Sequence, residues 1–277
     1  MVDSLPTISL AGTNQTLCAT TTTLNANIPI TGTGTWSVIT GGSSVTTTTS
    51  NSSGVTTLAT GNNIFAWTIS NGACPASTST VSVFVDSYPD VSNAGTDFTI
   101  CASTATLNSN TPVIGTGLWS VIAGSSSAST PTLNTSAVTG LSTGTNSLVW
   151  TISNGTCPNS TSIVNIIVDA FPSAVSAGAD QAFCLTTTTA NLNGTIPAIG
   201  VTTWSVMTGG GSITTPTLNT SDVSGLTTGT NSIVWTNTNG VCPTTSDTVD
   251  IILLMFPTVA NAGPDQILCP NSSTCRW

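Results

Sequence analysis

One pattern of proline, glycine, cysteine and tryptophan returns three times along the 277 residues and begins a fourth. Pro6, Pro89, Pro172 and Pro257 each stand six residues before a glycine, at Gly12, Gly95, Gly178 and Gly263, so the period is 83, 83 and then 85. Cys18, Cys101, Cys184 and Cys269 fall early in the copies, and Cys74, Cys157 and Cys242 fall late. Two tryptophans lie 31 residues apart in every copy: Trp36 and Trp67, Trp119 and Trp150, Trp204 and Trp235. That constancy places the two extra residues of copy three between Cys184 and Trp204, in an expected loop. Such a period is too long for solenoid or propeller units and matches a compact domain repeated along the chain. The divisions it implies are 1–88, 89–171 and 172–256, with 257–277 as the start of a fourth repeat or an assembly tail.

Within a copy the apolar residues alternate, as in Leu148, Trp150 and Ile152 or Trp119 and Val121, the period of a half-buried strand. Abundant Thr and Val favour extended backbone, and the helix formers Glu and Lys are absent. Asn71-Gly72, Asn154-Gly155 and Asn239-Gly240 sit between the second-tryptophan strand and the last strand, where Asn-Gly turns a tight hairpin. The chain therefore reads as all-β: tandem immunoglobulin-like or PKD-like β-sandwiches, each of six to eight short strands, with both tryptophans between the sheets. Residues 81–85 read as a strand and Pro89 opens the next copy, so almost no linker remains and a stiff rod is expected.

The segments Asn93-Ala94-Gly95-Thr96-Asp97, Ala177-Gly178-Ala179-Asp180-Gln181 and Asn261-Ala262-Gly263-Pro264-Asp265-Gln266 resemble the opening of PKD domains. With Gly115-Thr116-Gly117-Leu118-Trp119-Ser120-Val121 and Trp150-Thr151-Ile152-Ser153-Asn154-Gly155-Thr156-Cys157-Pro158, the whole copy is similar to PKD-like or immunoglobulin-like repeats of large secreted Bacteroidota surface proteins. It departs from PKD domains proper after the central tryptophan, where Trp36 continues Ser37-Val38-Ile39-Thr40-Gly41-Gly42. The resemblance implies a spacer, stalk or adhesion module that is secreted or held at the cell surface, with no catalytic residues to transfer.

Ten acidic residues, a single Arg276 and no histidine leave a net charge of -9 and exclude most chemistry. No basic patch exists to neutralise phosphates, so nucleic acid and anionic lipid are not expected as partners. The apolar run at 251–256 is too short to span a bilayer. Residues 1–5 lack a signal-peptide pattern, so any export signal is expected either to have been removed or to lie outside this sequence. Serine and threonine are plentiful, yet a hydroxyl nucleophile needs a base such as His or Lys, and the chain has neither. The one close acid pair, Asp247 and Asp250, has odd parity on a strand and so faces opposite sides. No enzyme activity and no cofactor are expected.

Two cysteines per copy at fixed spacing point to a disulfide and an oxidising compartment, with Cys18–Cys74, Cys101–Cys157 and Cys184–Cys242 as the expected pairs. Pairing across copies, Cys74 with Cys101, is the alternative. Each intra-copy loop would contribute about 4 kcal/mol in the chain-entropy model. Zinc is disfavoured, since there is no CxxC pair and no histidine. The tryptophans are in phase with aliphatic neighbours and are expected in the core rather than as sugar platforms. Asp97, Asp180 and Asp265 recur where copy one has Asn14, and Asp86 and Asp169 flank the junctions; calcium is one reading of Asp86, Asp97, Asp169 and Asp180, and turn capping beside glycine the other. The surface resemblance further implies O-glycosylation at Asp3-Ser4-Leu5 and Asp247-Thr248-Val249, making Ser4 and Thr248 the candidates. Cys269 and Cys275 belong to the expected assembly tail. The leading expectation is a structural stalk or self-assembling fibre whose partner is itself; the alternative is an adhesin that binds surface glycans.

Overall fold

The computed structural model describes residues 3–266, and every regular element among them is a β-strand. Copy one has β1 (Gln15–Leu17), β2 (Thr22–Asn25), β3 (Thr33–Thr40), β4 (Ser44–Val45), β5 (Ser52–Thr56), β6 (Gly61–Ser70) and β7 (Ser77–Val85). Copy two repeats them as β8 (Phe98–Ile100), β9 (Thr104–Thr106), β10 (Thr116–Ala123), β11 (Ser127–Ala128), β12 (Ala137–Thr139), β13 (Gly144–Ser153) and β14 (Ser160–Val168). Copy three follows with β15 (Gln181–Cys184), β16 (Thr189–Asn193), β17 (Val201–Thr208), β18 (Ser212–Ile213), β19 (Thr220–Ser224), β20 (Gly229–Thr238) and β21 (Thr245–Leu254). No helix of the described residues is long and apolar enough to cross a membrane.

Each copy is a sandwich of two sheets. The larger sheet of copy one runs β1-β7-β6-β3 and the smaller β2-β5-β4, and the other copies repeat this order. The long strands β6 and β7 form the antiparallel centre, while β1 lies parallel to β7 with Gln15 beside Val83 and Leu17 beside Val85. Alternation sets the faces: Phe65, Trp67 and Ile69 on β6, and Val81, Val83 and Val85 on β7, point inward to meet Leu24 of β2 and Val55 of β5. Leu148, Trp150, Ile152, Val164, Ile166 and Val168 form the second core with Leu107 and Val138, and residues 177–253 contribute the third. The chain divides into two compact units, residues 1–169 and 170–277; the first holds the first two cores and the second holds the third.

Trp36 and Trp67 are direct cross-strand partners on β3 and β6, as are Trp119 and Trp150, and Trp204 and Trp235. All six are at most 3% exposed. The paired rings sit 5.1, 5.1 and 4.5 Å apart, tilted, within the range where aromatic pairs attract beyond their buried area. The copies differ in how the second tryptophan is seated. In copies one and two, Gly34 and Gly117 lie so close to the rings of Trp67 and Trp150 that a Cβ there would fall on the ring. Copy three has Thr202 at that register position and Gly194 where the others have Ala26 and Ser109. Bulk has moved from one side of the indole to the other: a Cβ at Gly194 would press on Trp235 Nε1, which donates to Thr195 O at 2.9 Å. Trp67 and Trp150 keep their Nε1 groups without a hydrogen-bond partner.

A recurring asparagine that the sequence reading passed over holds the loop before each central strand. Asn63, Asn146 and Asn231 are wholly buried on β6, β13 and β20. Asn146 Nδ2 donates to Ser142 O (2.7 Å) and Gly144 O (3.2 Å), and its Oδ1 accepts from Ser142 N (3.1 Å). Asn63 and Asn231 make the same contacts with Ala59 and Thr227. The buried amide thereby satisfies backbone groups of a turn that no strand pairs. Its signal in the sequence is a polar residue recurring in phase with core positions, 83 and 85 residues apart.

Candidate functional site

Chemistry concentrates at the junction of copies one and two, both within the first compact unit. The segment leaving β7 enters a clamp built by the Asn-Gly turn of copy two. Asp86 N donates to Leu17 O at the end of β1 (2.9 Å), while its carboxylate accepts from Thr156 N (2.6 Å) and Thr156 Oγ1 (2.8 Å). Asn154 Nδ2 donates to Ser87 O at 2.8 Å. Gly155 is required twice over: its φ is positive, and a side chain would collide with the Asp86 carboxylate. Copy one offers the same clamp to its own leading residues, with Ala73 N on Asp3 Oδ2 (3.2 Å) and Asn71 Nδ2 on Ser4 O (2.8 Å). In copy three Asn239 Nδ2 holds Ala170 O at 2.7 Å.

Beside this clamp the chain is joined covalently. Cys18, next after β1, bonds Cys157 of the copy-two turn, with Cα atoms 4.9 Å apart and a sequence separation of 139. Cys101 and Cys242 are each engaged in a disulfide as well. Cys74 and Cys184 are free, the first half-buried with its thiol donating to Asp3 O (3.4 Å), the second exposed. The intra-copy pairs Cys18–Cys74, Cys101–Cys157 and Cys184–Cys242 are therefore corrected, and so is the alternative Cys74–Cys101. The reason is the parallel register of β1 on β7. Cys74 precedes the start of β7, whereas Cys18 lies level with its end. Nine extended residues separate those ends by about 30 Å, far beyond disulfide reach.

The aspartates serve the backbone. Asp97 Oδ1 accepts from Asn165 N (2.8 Å) and Asp180 Oδ1 from Asp250 N (2.9 Å), and Asn14 Oδ1 does likewise for Ser82 N (2.9 Å). Each continues the parallel ladder by one bond beyond the short first strand. Asp169 N donates to Ile100 O at 2.9 Å, matching Asp86 one copy earlier. Among the described residues no three acidic, cysteine or histidine side chains gather in one place, and the carboxylates of Asp86, Asp97 and Asp180 accept hydrogen bonds from backbone amides of turns and strand edges. Hydrogen bonds from Asn165, side chain first and then backbone, hold the Asp97 carboxyl below the usual range; the Ile114 and Val113 amides do so for Asp90. The Ala177 amide, working against partial desolvation, lowers Asp247. Asp247 Oδ2 accepts from Ala177 N (2.8 Å) and Asp250 Oδ1 from Ser232 Oγ (2.7 Å), so the two engage different neighbours.

Ser4 and Thr248 are both exposed. Cys269 and Cys275 lie outside the described residues.

No family model and no curated protein matches this sequence. Among solved structures, titin domains I67–I69 superpose with a TM-score of 0.51 at 13% identity, covering 92% of this chain and 99% of that one. The fold is that of immunoglobulin-like domains in tandem. Mouse cadherin-23 EC22–24 aligns over 92% of this chain and 100% of its own length, with a TM-score of 0.37 and 12% identity. The PKD domain of the KIAA 1837 protein aligns with 34% of this chain and 92% of its own length, with a TM-score of 0.27 and 20% identity.

Proposed function

We propose that this chain is an extracellular structural protein, a stalk or self-assembling fibre of immunoglobulin-like sandwiches divided near residues 88, 171 and 256. The observation that carries the reading is the Cys18–Cys157 bond. A disulfide placed across a junction, beside a linker already clamped by Asp86 and Asn154, serves to fix one domain on the next. Such bonds persist in an oxidising, extracellular setting, and the sequence resemblance to secreted Bacteroidota surface repeats agrees with that location. The acceptor-rich, charge-poor surface offers little repulsion against association with further copies. A glycan-binding adhesin is less well supported, because all six repeat tryptophans lie inside the cores and cannot stack on a sugar ring. Exposed Ser4 and Thr248 are proposed to carry O-glycan, which an intact mass equal to the bare polypeptide would refute.

Electron microscopy of the unreduced protein at several concentrations tests the proposal. Filaments with a regular bead repeat are expected; isolated particles at every concentration would overturn self-assembly.

A further inference from the structure

Every tryptophan among the described residues is buried, yet the chain leaves other aromatic rings in the open at one recurring position. Tyr88, Phe171 and Phe256 each stand directly before the proline that opens a copy, 83 and 85 residues apart, and are 65%, 63% and 59% exposed. Rings so exposed contribute little burial energy to their own domains.

Tyr88 borders a cleft of about 380 Å³ that lies wholly within the first compact unit, between the end of β7, the turn after β1 and the loop before β6. That volume falls within the range of small-molecule sites, about 300–1,000 Å³. Buried Leu58 and Val85 give the cleft an apolar lining, while Thr20, Thr21 and Thr60 are exposed and bring hydroxyls to it. The one charged side chain on the lining is Asp86, and its carboxylate is already engaged by Thr156 N (2.6 Å) and Thr156 Oγ1 (2.8 Å).

This lining selects among ligand classes. An anion would find no cationic side chain in the cleft, and a cation would have to compete with Thr156 for the only carboxylate. A wholly apolar molecule would dehydrate the threonine hydroxyls without replacing their hydrogen bonds. A neutral sugar ring meets both demands, with an apolar C–H face for the aromatic ring and hydroxyls at its rim for the threonines. The sequence carries the same parts in the other copies. Leu58 and Thr60 recur in Leu141-Ser142-Thr143-Gly144 and Leu226-Thr227-Thr228-Gly229, alongside Phe171 and Phe256.

We propose that the cleft beside Tyr88 is a carbohydrate site, in which a neutral pyranose stacks its C–H face on Tyr88 and exchanges hydrogen bonds with Thr20, Thr21 and Thr60. The site lies within one compact unit and does not depend on self-assembly, so it adds a binding role to the structural one. It also places sugar recognition on a ring that the solvent reaches, where the buried tryptophans cannot serve.

Tyr88 is the sole tyrosine of the chain, so tyrosine labelled isotopically in the ring gives the full-length protein a single NMR reporter at the site. Titration with the methyl glycosides of glucose, galactose, mannose and N-acetylglucosamine should move that signal to saturation for at least one of them, with saturation transfer from the protein to the ring protons of the sugar. Tyr88→Ala, which removes an exposed side chain, should weaken the transfer-derived affinity about tenfold, and Tyr88→Phe should keep it within about twofold. Thr60→Val, which removes one hydrogen bond, should weaken it about fivefold. The proposal is overturned if none of the glycosides shifts the signal up to about 50 mM, or if open-chain sorbitol shifts it equally. Saturation transfer that persists undiminished in Tyr88→Ala would overturn it as well.

Discussion

When the first compact unit, residues 1–169 with Cys101→Ser, is pulled from its two ends, force reaches Cys18, crosses to Cys157 and leaves by residues 158–169. The loop they close, with its sequence separation of 139, carries no tension, even after both sandwiches have come apart. At the reach of an extended chain, that loop hides about 480 Å of contour length. The same closure removes denatured-state entropy worth about 5 kcal/mol in the chain-entropy model, so the copies are tied thermodynamically as well as mechanically. Single-molecule force spectroscopy reads the length directly. Fully stretched oxidised chains should fall short of reduced ones by about 480 Å. A shortfall of about 190 Å would mean that Cys18 had closed a 56-residue loop within its own copy, and no shortfall would mean no bond; either refutes the reasoning.

Gly34→Thr forces a side chain into the Trp67 ring and should cost about 3 kcal/mol in copy one, with Ala26→Gly recovering much of the loss because that pair reproduces copy three; a double-mutant cycle by urea denaturation checks it. Asn146→Ala orphans the buried backbone groups of the turn at Ser142 and Gly144 and should destabilise copy two by about 3 kcal/mol, seen as an earlier melt of that domain. Asp90, Asp97 and Asp247 have folded pKa values below their unfolded ones, so their contribution is full above about pH 4 and is lost as pH falls through the lowered values. Denaturation midpoints should therefore hold steady from pH 8 to 5 and drop below 4, by less in Asp97→Asn, which has less to lose.

Much of the fold was legible because its signals are local. Period-two alternation around Trp119 and Trp150 states both strand and face, and the 31-residue interval between tryptophans survives in all three copies because both strands pair across one fixed register. Asn71-Gly72 and its counterparts announce their turn through an intrinsic preference for positive φ at glycine. Disulfide partners are different. Cysteine spacing reports count and compartment, but the partner depends on which end of the sandwich each sulfur occupies, and that is decided by the parallel seating of β1 on β7. Short strands such as Gln15–Leu17 carry too few residues to declare a direction, so the junction bond stayed hidden. The aspartates at 97 and 180 are a related case: a recurring carboxylate beside glycine looks the same in sequence whether it accepts a hydrogen bond from an amide or ligates a metal.

Disulfide mapping of the unreduced protein tests the junction staple most directly. With one arginine and no lysine, trypsin is of no use, but the ten aspartates divide the chain conveniently. Cleavage before aspartate leaves Cys18 and Cys74 together in 3–85, and Cys101 and Cys157 together in 97–168. The account predicts that these two peptides travel as one species until reduced, joined through Cys18 and Cys157. Separate recovery of 3–85 and 97–168, each closed by its own internal bond, would contradict it.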